Sequence, residues 1–174
     1  YNGDGMIIKI NSNGDLDWNY SYGGFGTEVF RSSQQTSDGG YIAVGHTNSY
    51  GAGNTDLFLL KINSNGDSLW SNVYGGLGTD QGRHVVQTID QGFAIFGYTD
   101  SYGELGGFNH WLIKVNSNGD LDWDRYYGGS SDDRGLYGIE ASDGGFAITG
   151  FIKGSNNATD IMVIKTDNLG QLLE

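Results

Sequence analysis

The sequence predicts an all-β protein assembled from four-stranded units of about 52 residues, and three observations carry that reading. A lysine recurs as Lys9, Lys61, Lys114 and Lys165, so one unit occurs three times and is begun a fourth. A fixed period of this size is the mark of stacked, near-identical supersecondary units. Asn-Gly and Asp-Gly dipeptides recur between short apolar runs, which signals tight hairpins, and no stretch keeps a helical period.

Each unit gives four short strands. LFLLKI (57–62) is a continuous apolar run, as expected of a strand buried on both faces; MIIKI (6–10), WLIKV (111–115) and IMVIK (161–165) are its equivalents. NSNGD follows as a hairpin turn. A more polar strand comes next, as in LDWNYSY (16–22), with Trp18, Trp70 and Trp123 at one position and Tyr22, Tyr74 and Tyr127 at another. Beyond each Tyr-Gly-Gly lies a strand of mixed polarity: VFRSSQQT (29–36), RHVVQTI (83–89) and GLYGIEA (135–141). A turn opened by Asp38, Asp90 or Asp143 leads to YIAVG (41–45), FAIFG (93–97) or FAITG (146–150), each closed by a glycine. Every change of length falls between Gly45 and Asp56 or in the equivalent segments. The unit is therefore rigid, with one elastic loop.

Composition bounds the rest. The chain has 174 residues and no cysteine, which excludes disulfides and thiolate metal sites. It carries no apolar run long enough for a membrane span, and because it opens inside a repeat any targeting segment is expected upstream of it. Nine basic and 21 acidic residues give a net charge of -12, which argues against a nucleic-acid partner. The acidity is read as solubility, with divalent-cation binding or a salt-rich habitat as the alternatives. Glycine contributes 31 residues at fixed offsets beside turns, and proline none.

Four-stranded units at this period point to β-propeller blades, whereas a parallel β-helix needs shorter rungs. The segment 38–67, DGGYIAVGHTNSYGAGNTDLFLLKINSNGD, resembles the SBBP-type β-propeller repeat of secreted and surface proteins of bacteria and archaea. The hairpin with its Trp is also similar to the Trp-docking turn of quinoprotein-like propellers. The resemblance covers nearly the whole chain. It implies an extracellular or cell-surface setting and a strand order. The VFRSSQQT type would be innermost, YIAVG and LFLLKI central, and LDWNYSY outermost. In that frame the chain is one repeat array: a partial blade over 1–24, then blades over about 25–76, 77–129 and 130–174. Propellers need about four to eight blades. The ring is thus expected to be incomplete, with the remainder supplied by a longer chain or by other chains.

Strand order puts the NSNGD and Asp-Gly turns on one face of the array, and the Tyr-Gly-Gly and variable loops on the other. The variable face is the candidate binding surface, since recognition is usually carried on loops held by a rigid scaffold. Tyr50, Tyr102, Glu104 and Phe108 are assigned there, with His46 and His110 nearby, as contacts for a protein or glycan partner; the alternative is that the aromatics cover the top of the blade interface. Trp18, Trp70 and Trp123 are read as packing between blades. Glu28, Asp80 and Asp133, which recur after Tyr-Gly-Gly, are read as accepting bonds from the backbone of their own turn, the alternative being a ring of carboxylates that binds cations. Asp38, Asp90 and Asp143 are read as turn residues.

Catalysis has little support. His46, His84 and His110 are not repeated, and neither G-x-S-x-G nor H-E-x-x-H occurs. No cofactor or metal is expected. Calcium is the alternative weighed for Asn11, Asn13 and Asp15, but a hairpin turn explains that segment without an ion. Sequons stand at Asn19 and Asn157. The function expected is a non-enzymatic extracellular scaffold for adhesion, surface assembly or glycan and protein contact. The alternatives are a carbohydrate-active or other hydrolytic propeller, and a homo-oligomeric polymer unit joined through unpaired blade edges.

Overall fold

The computed structural model describes residues 3–103, 107–154 and 158–173, and every regular element in them is a β-strand. In order these are β1 (Gly5–Ile10), β2 (Leu16–Tyr22), β3 (Glu28–Gln35), β4 (Tyr41–Thr47), β5 (Asp56–Ile62), β6 (Ser68–Tyr74) and β7 (Asp80–Gln87). There follow β8 (Phe93–Thr99), β9 (Asn109–Val115), β10 (Leu121–Tyr127), β11 (Arg134–Glu140), β12 (Phe146–Lys153) and β13 (Thr159–Lys165). They form four antiparallel sheets: β1-β2, β3-β4-β5-β6, β7-β8-β9-β10 and β11-β12-β13. Neighbours in each sheet are neighbours in sequence, so hairpin chemistry alone sets the order.

The apolar strands are central because both their faces are covered. Along β5, Leu57 and Leu59 point into a core shared with Val85 of β7, Phe93 and Ile95 of β8, and Ile113 of β9. The alternate residues Phe58, Leu60 and Ile62 point the other way, onto Ile7, Trp18 and Tyr22 of the first sheet. A third core repeats the arrangement between β8-β9 and β12-β13, around Phe96, Leu112, Phe146, Ile148 and Ile164. A period of two on a doubly covered strand explains the unbroken apolar runs. At one edge of the stack, β3, β7 and β11 lie alongside one another.

Each of the last three sheets carries the same irregularity. The ladder between its first two strands slips between Phe30 and Ser32, between Gly82 and His84, and between Gly135 and Tyr137. Arg31, Arg83 and Leu136 are the extra residues of these bulges, which raise the local twist. Opposite each bulge stands Gly45, Gly97 or Gly150. A Cβ on Gly97 would lie 3.0 Å from the Gln81 carbonyl carbon and 3.2 Å from Gly82 Cα. The bulged backbone folds over the glycine, and only a residue without a side chain fits there.

The end sheets are incomplete and their outer faces open. The first has only the equivalents of β5 and β6. The last has three strands, with a fourth begun at the Thr166–Leu172 bridge. Beside β13, where the other sheets hold their fourth strand, lies a groove of about 630 Å³ bordered by Tyr126, Tyr127, Met162 and Leu172. Among the described residues no helix is long and apolar enough to cross a membrane.

Candidate functional site

On the loop face each carboxylate after Tyr-Gly-Gly closes its own turn and ties it to the next loop. Glu28 accepts from Gly24 N at 3.0 Å and from Thr47 Oγ1 at 2.5 Å. Asp80 accepts from Gly76 N at 2.8 Å and Ser101 Oγ at 2.7 Å, and Asp133 from Gly129 N at 2.7 Å and Lys153 N at 2.9 Å. All three are buried. Burial alone would raise the Glu28 pKa, but bonds from Ser49, Thr47 and Gly24 outweigh it and hold the group below its ordinary value. The variable loop is knitted across two sheets: Asn48 N donates to Thr27 O at 3.1 Å, and Asn54 N to Gly78 O of the following sheet at 2.8 Å.

The aromatic candidates fall into separate places. Tyr50 OH donates to Gly23 O at 3.0 Å, and Tyr102 OH to Gly75 O at 2.8 Å. Each phenol therefore pins the preceding Tyr-Gly-Gly loop while its ring stays partly exposed. Phe108 stacks edge-on with Tyr98 at 5.0 Å and lies 4.1 Å beneath the Arg134 guanidinium. His110 is buried, with Nε2 3.2 Å from Phe151 O. Burial lowers the pKa of His46, and Arg31 and Arg83 push it the same way. Burial also lowers the pKa of His84 and of His110, so all three rings are neutral at pH 7. Glu104 and the Asn157 sequon lie outside the described residues, whereas Asn19 is exposed on β2.

Among the described residues the most exposed large apolar side chains on this face are Phe25, 96% exposed, and Leu77, 85% exposed. They occupy the same point of successive Tyr-Gly-Gly-x-Gly loops, where the third repeat has Ser130. The sequence did carry a signal for them, since this is the one position of that loop whose chemistry changes between large apolar and small polar.

The opposite face is built from docking turns. In NSNGD, Asn63 Oδ1 accepts from Asn65 N at 2.9 Å and from Asp67 N at 3.0 Å. Asn11 and Asn116 do the same, so these oxygens serve their own turn. Gly66, Gly119 and Gly170 are each seated on the aromatic pair of the preceding sheet. Tyr22 OH donates to Gly66 O at 2.5 Å, Tyr74 OH to Gly119 O, and Tyr127 OH to Gly170 O at 2.7 Å. A Cβ on Gly119 would stand 2.8 Å from the Trp70 ring, and on Gly170 2.8 Å from that of Trp123. Gly66 and Gly119 also have φ of 90° and 82°, which glycine adopts freely.

The repeat lysines are structural pins. Lys61 Nζ reaches Asp38 at 2.9 Å, Lys114 reaches Asp90 at 2.8 Å and Lys165 reaches Asp143 at 2.8 Å, joining the third strand of a sheet to its Asp-Gly turn. Bonds from Thr36 and then Lys61 hold the Asp38 pKa at about 2. At Asp90 burial acts upward, but Lys114, Thr88 and Gly92 outweigh it and again hold the pKa at about 2. A carboxylate depressed from 3.8 stabilises the fold above that value and loses the contribution as pH falls through the folded pKa. We predict that melting temperature falls between about pH 4 and pH 2, and that Lys114→Met flattens this fall. An unchanged profile in Lys114→Met would contradict the pinning role.

One carboxylate behaves oppositely. Asp56, buried beside Asp80, has its pKa raised by burial and by the Asp80 charge, against bonds from Gly53 and Ala52. The third repeat has Asn109 at this position. Asp56→Asn is expected to raise the melting temperature at pH 7, with the gain shrinking in acid as Asp56 takes up its proton. A lower melting temperature at pH 7 would refute that reading. Both groups are enclosed, which keeps them from a substrate. Among the described residues no group of three His, Asp or Glu side chains is arranged to hold a metal ion.

No protein-family model matches the chain, and no curated protein matches it.

Proposed function

We propose that the chain forms consecutive blades of a β-propeller serving as a non-enzymatic extracellular scaffold. On this reading its loop face contacts a protein or glycan partner. The propeller reading is supported by the side-by-side placement of β3, β7 and β11 and by successive sheets burying each other's faces. The binding reading is carried by Phe25 and Leu77, apolar side chains held out into solvent on turns that Glu28 and Asp80 fix from within. A protruding apolar group on a preorganised loop is the kind of anchor that stacks on a sugar ring or fills a pocket of a protein partner. The repeated carboxylates and phenols are engaged in backbone bonds, which favours a scaffold over acid–base chemistry.

The test is binding of the chain to arrays of glycans and of purified surface proteins. It is repeated with Phe25→Ser/Leu77→Ser, which copies the serine of the third repeat. The reading predicts binding that the double variant loses at unchanged melting temperature. Binding indifferent to the double variant, binding on neither array, or release of shortened products from a polysaccharide would refute it.

A further inference from the structure

Arg31, Arg83 and Arg134 stand on β3, β7 and β11, the strands that lie alongside one another at one edge of the stack. They lack the close carboxylate partners that the lysines have. Lys9, Lys61, Lys114 and Lys165 each hold a carboxylate at 2.8–3.1 Å. Among the described residues no carboxylate pairs with Arg31 or Arg83, and Asp132 reaches Arg134 only at 3.7 Å. Aromatic rings hold two of the arginines instead. The guanidinium carbon of Arg83 lies 5.0 Å from the centre of the Tyr98 ring, and that of Arg134 lies 4.8 Å from the same ring and 4.1 Å from that of Phe108. Arg83 Nη2 donates to Tyr98 OH at 2.7 Å, and Tyr98 OH donates to Gln81 Oε1 at 2.7 Å. Arg83 Nε and Arg134 Nε are buried with no hydrogen-bond partner in the protein. Half-buried like charges held on one ring cost stability unless a negative group offsets them. Arg31 adds to the same field: after burial, the charges of Arg31 and Arg83 are what lower the pKa of His46. Because β7 has a neighbour on each side, the described strands build the whole setting of Arg83.

We propose that Arg83 and Arg134 bind an oxyanion group between them, with Arg31 adding charge from the neighbouring strand. The group is a carboxylate or sulfate, free or carried on an acidic sugar. A guanidinium presents a planar fork of donors that matches such a group. Tyr98 and Phe108 fix the forks beforehand, so little ordering remains to be done on binding. The repeat alone does not account for the third arginine. Leu136 takes the bulge position of Arg31 and Arg83, whereas Arg134 stands where the other sheets have Val29 and Gln81. The net charge of -12 repels anions at long range, but physiological salt screens that repulsion beyond about 8 Å, which leaves the local arginines to decide. The site shares no residue with Phe25 and Leu77, so what those loops bind does not bear on it.

The test is calorimetric titration of the full chain with sodium sulfate, sodium glucuronate and glucose, at an ionic strength held constant with sodium chloride. At least one of the two anions should bind, and uncharged glucose should not. Tighter binding of glucuronate marks the oxyanion as part of an acidic sugar, and sulfate binding as tightly or more so marks it as a free ion. Arg83→Gln should weaken binding at least about tenfold, as expected for loss of a charge-assisted hydrogen bond. Arg125→Gln removes the same charge from β10, at the far edge of the same sheet, and should leave binding unchanged. Melting curves without anion are the folding control. If Arg83→Gln does not fold, Arg31→Gln replaces it, since Arg31 is exposed; loss of that nearby charge should weaken binding about threefold. Saturating anion should also raise the His46 pKa followed by proton NMR, because it offsets Arg31 and Arg83. Binding of neither anion would overturn the proposal. So would glucose binding as tightly as either anion, equal losses in Arg83→Gln and Arg125→Gln, or a His46 titration that the anion leaves unmoved.

Discussion

Trp70→Ala should lower the melting temperature by about 6–12 °C, from a loss of about 3 kcal/mol at about 2–4 °C per kcal/mol for a chain of this size. Trp70 links three elements. Its ring lies 6.0 Å from Phe93 of the next sheet, it packs against the core between the two sheets, and Gly119 sits on it. Removing it leaves a cavity between sheets and takes away the seat of the next hairpin. The figure lies at the lower end for a large aromatic because Trp70 is only half-buried. Tyr50→Ala is the control. Tyr50 is 45% exposed and contributes one bond to Gly23 O, worth about 1 kcal/mol. Equal losses in the two variants would mean that the Trp is not the inter-sheet anchor. In a stack where each sheet touches only its neighbours, the damage in Trp70→Ala should centre on the junction of β6 with β7–β10.

Gly97→Ala should cost a similar amount, about 3 kcal/mol, at the upper end for overpacking. The added methyl group would press into the Gln81 carbonyl across the bulge, where the obstacle is backbone with no rotamer to change. The next sheet approaches at the same point: a Cβ on Gly135 would stand 2.7 Å from Gly97 O. Opening the bulge to admit a methyl group would thus disturb two sheets. Gly129→Ala is the matched control, since a Cβ there meets nothing within 4 Å and should leave stability within about 0.5 kcal/mol of wild type. A Gly97→Ala chain that melts with the wild type would show that the bulge is absent or easily relaxed.

Much of the architecture is legible in the sequence because its causes are local. Unbroken apolar runs put β4, β5, β8 and β9 at sheet centres, and Asn-Gly sets the hairpin between the third and fourth strands. Lys61 marks the period plainly, but its role depends on Asp38, which reaches it only once β4 and β5 have paired. Gly45, Gly97 and Gly150 stand at a constant offset for a reason that no local pattern displays, since the bulge exists only between paired strands. The same limit governs the loop face. Whether Tyr50 and Tyr102 contact a ligand or cover the interface is open in the sequence, because their acceptors, Gly23 O and Gly75 O, are 27 residues away. His110 lies next to loop residues in sequence, yet its side chain turns inward beside Gly135 and Gly150 of the following sheet. Phe25 and Leu77 stand at the one loop position whose chemistry changes between large apolar and small polar, but that the fold leaves them out in solvent depends on turns closed from within by Glu28 and Asp80.

Gly66, Gly119 and Gly170 each dock on the Trp of the preceding sheet, and proton NMR tests this directly. Gly66, Gly119 and Gly170 should show cross-peaks from their α-protons to the indole rings of Trp18, Trp70 and Trp123, respectively. Gly14, in the same turn of the first unit, has nothing within 4 Å of its Cβ position and should show none. That pattern, three contacts across more than forty residues and a silent fourth glycine, is the predicted result. Absence of the three contacts, or an equal contact at Gly14, would contradict the stacking of one repeat on the next.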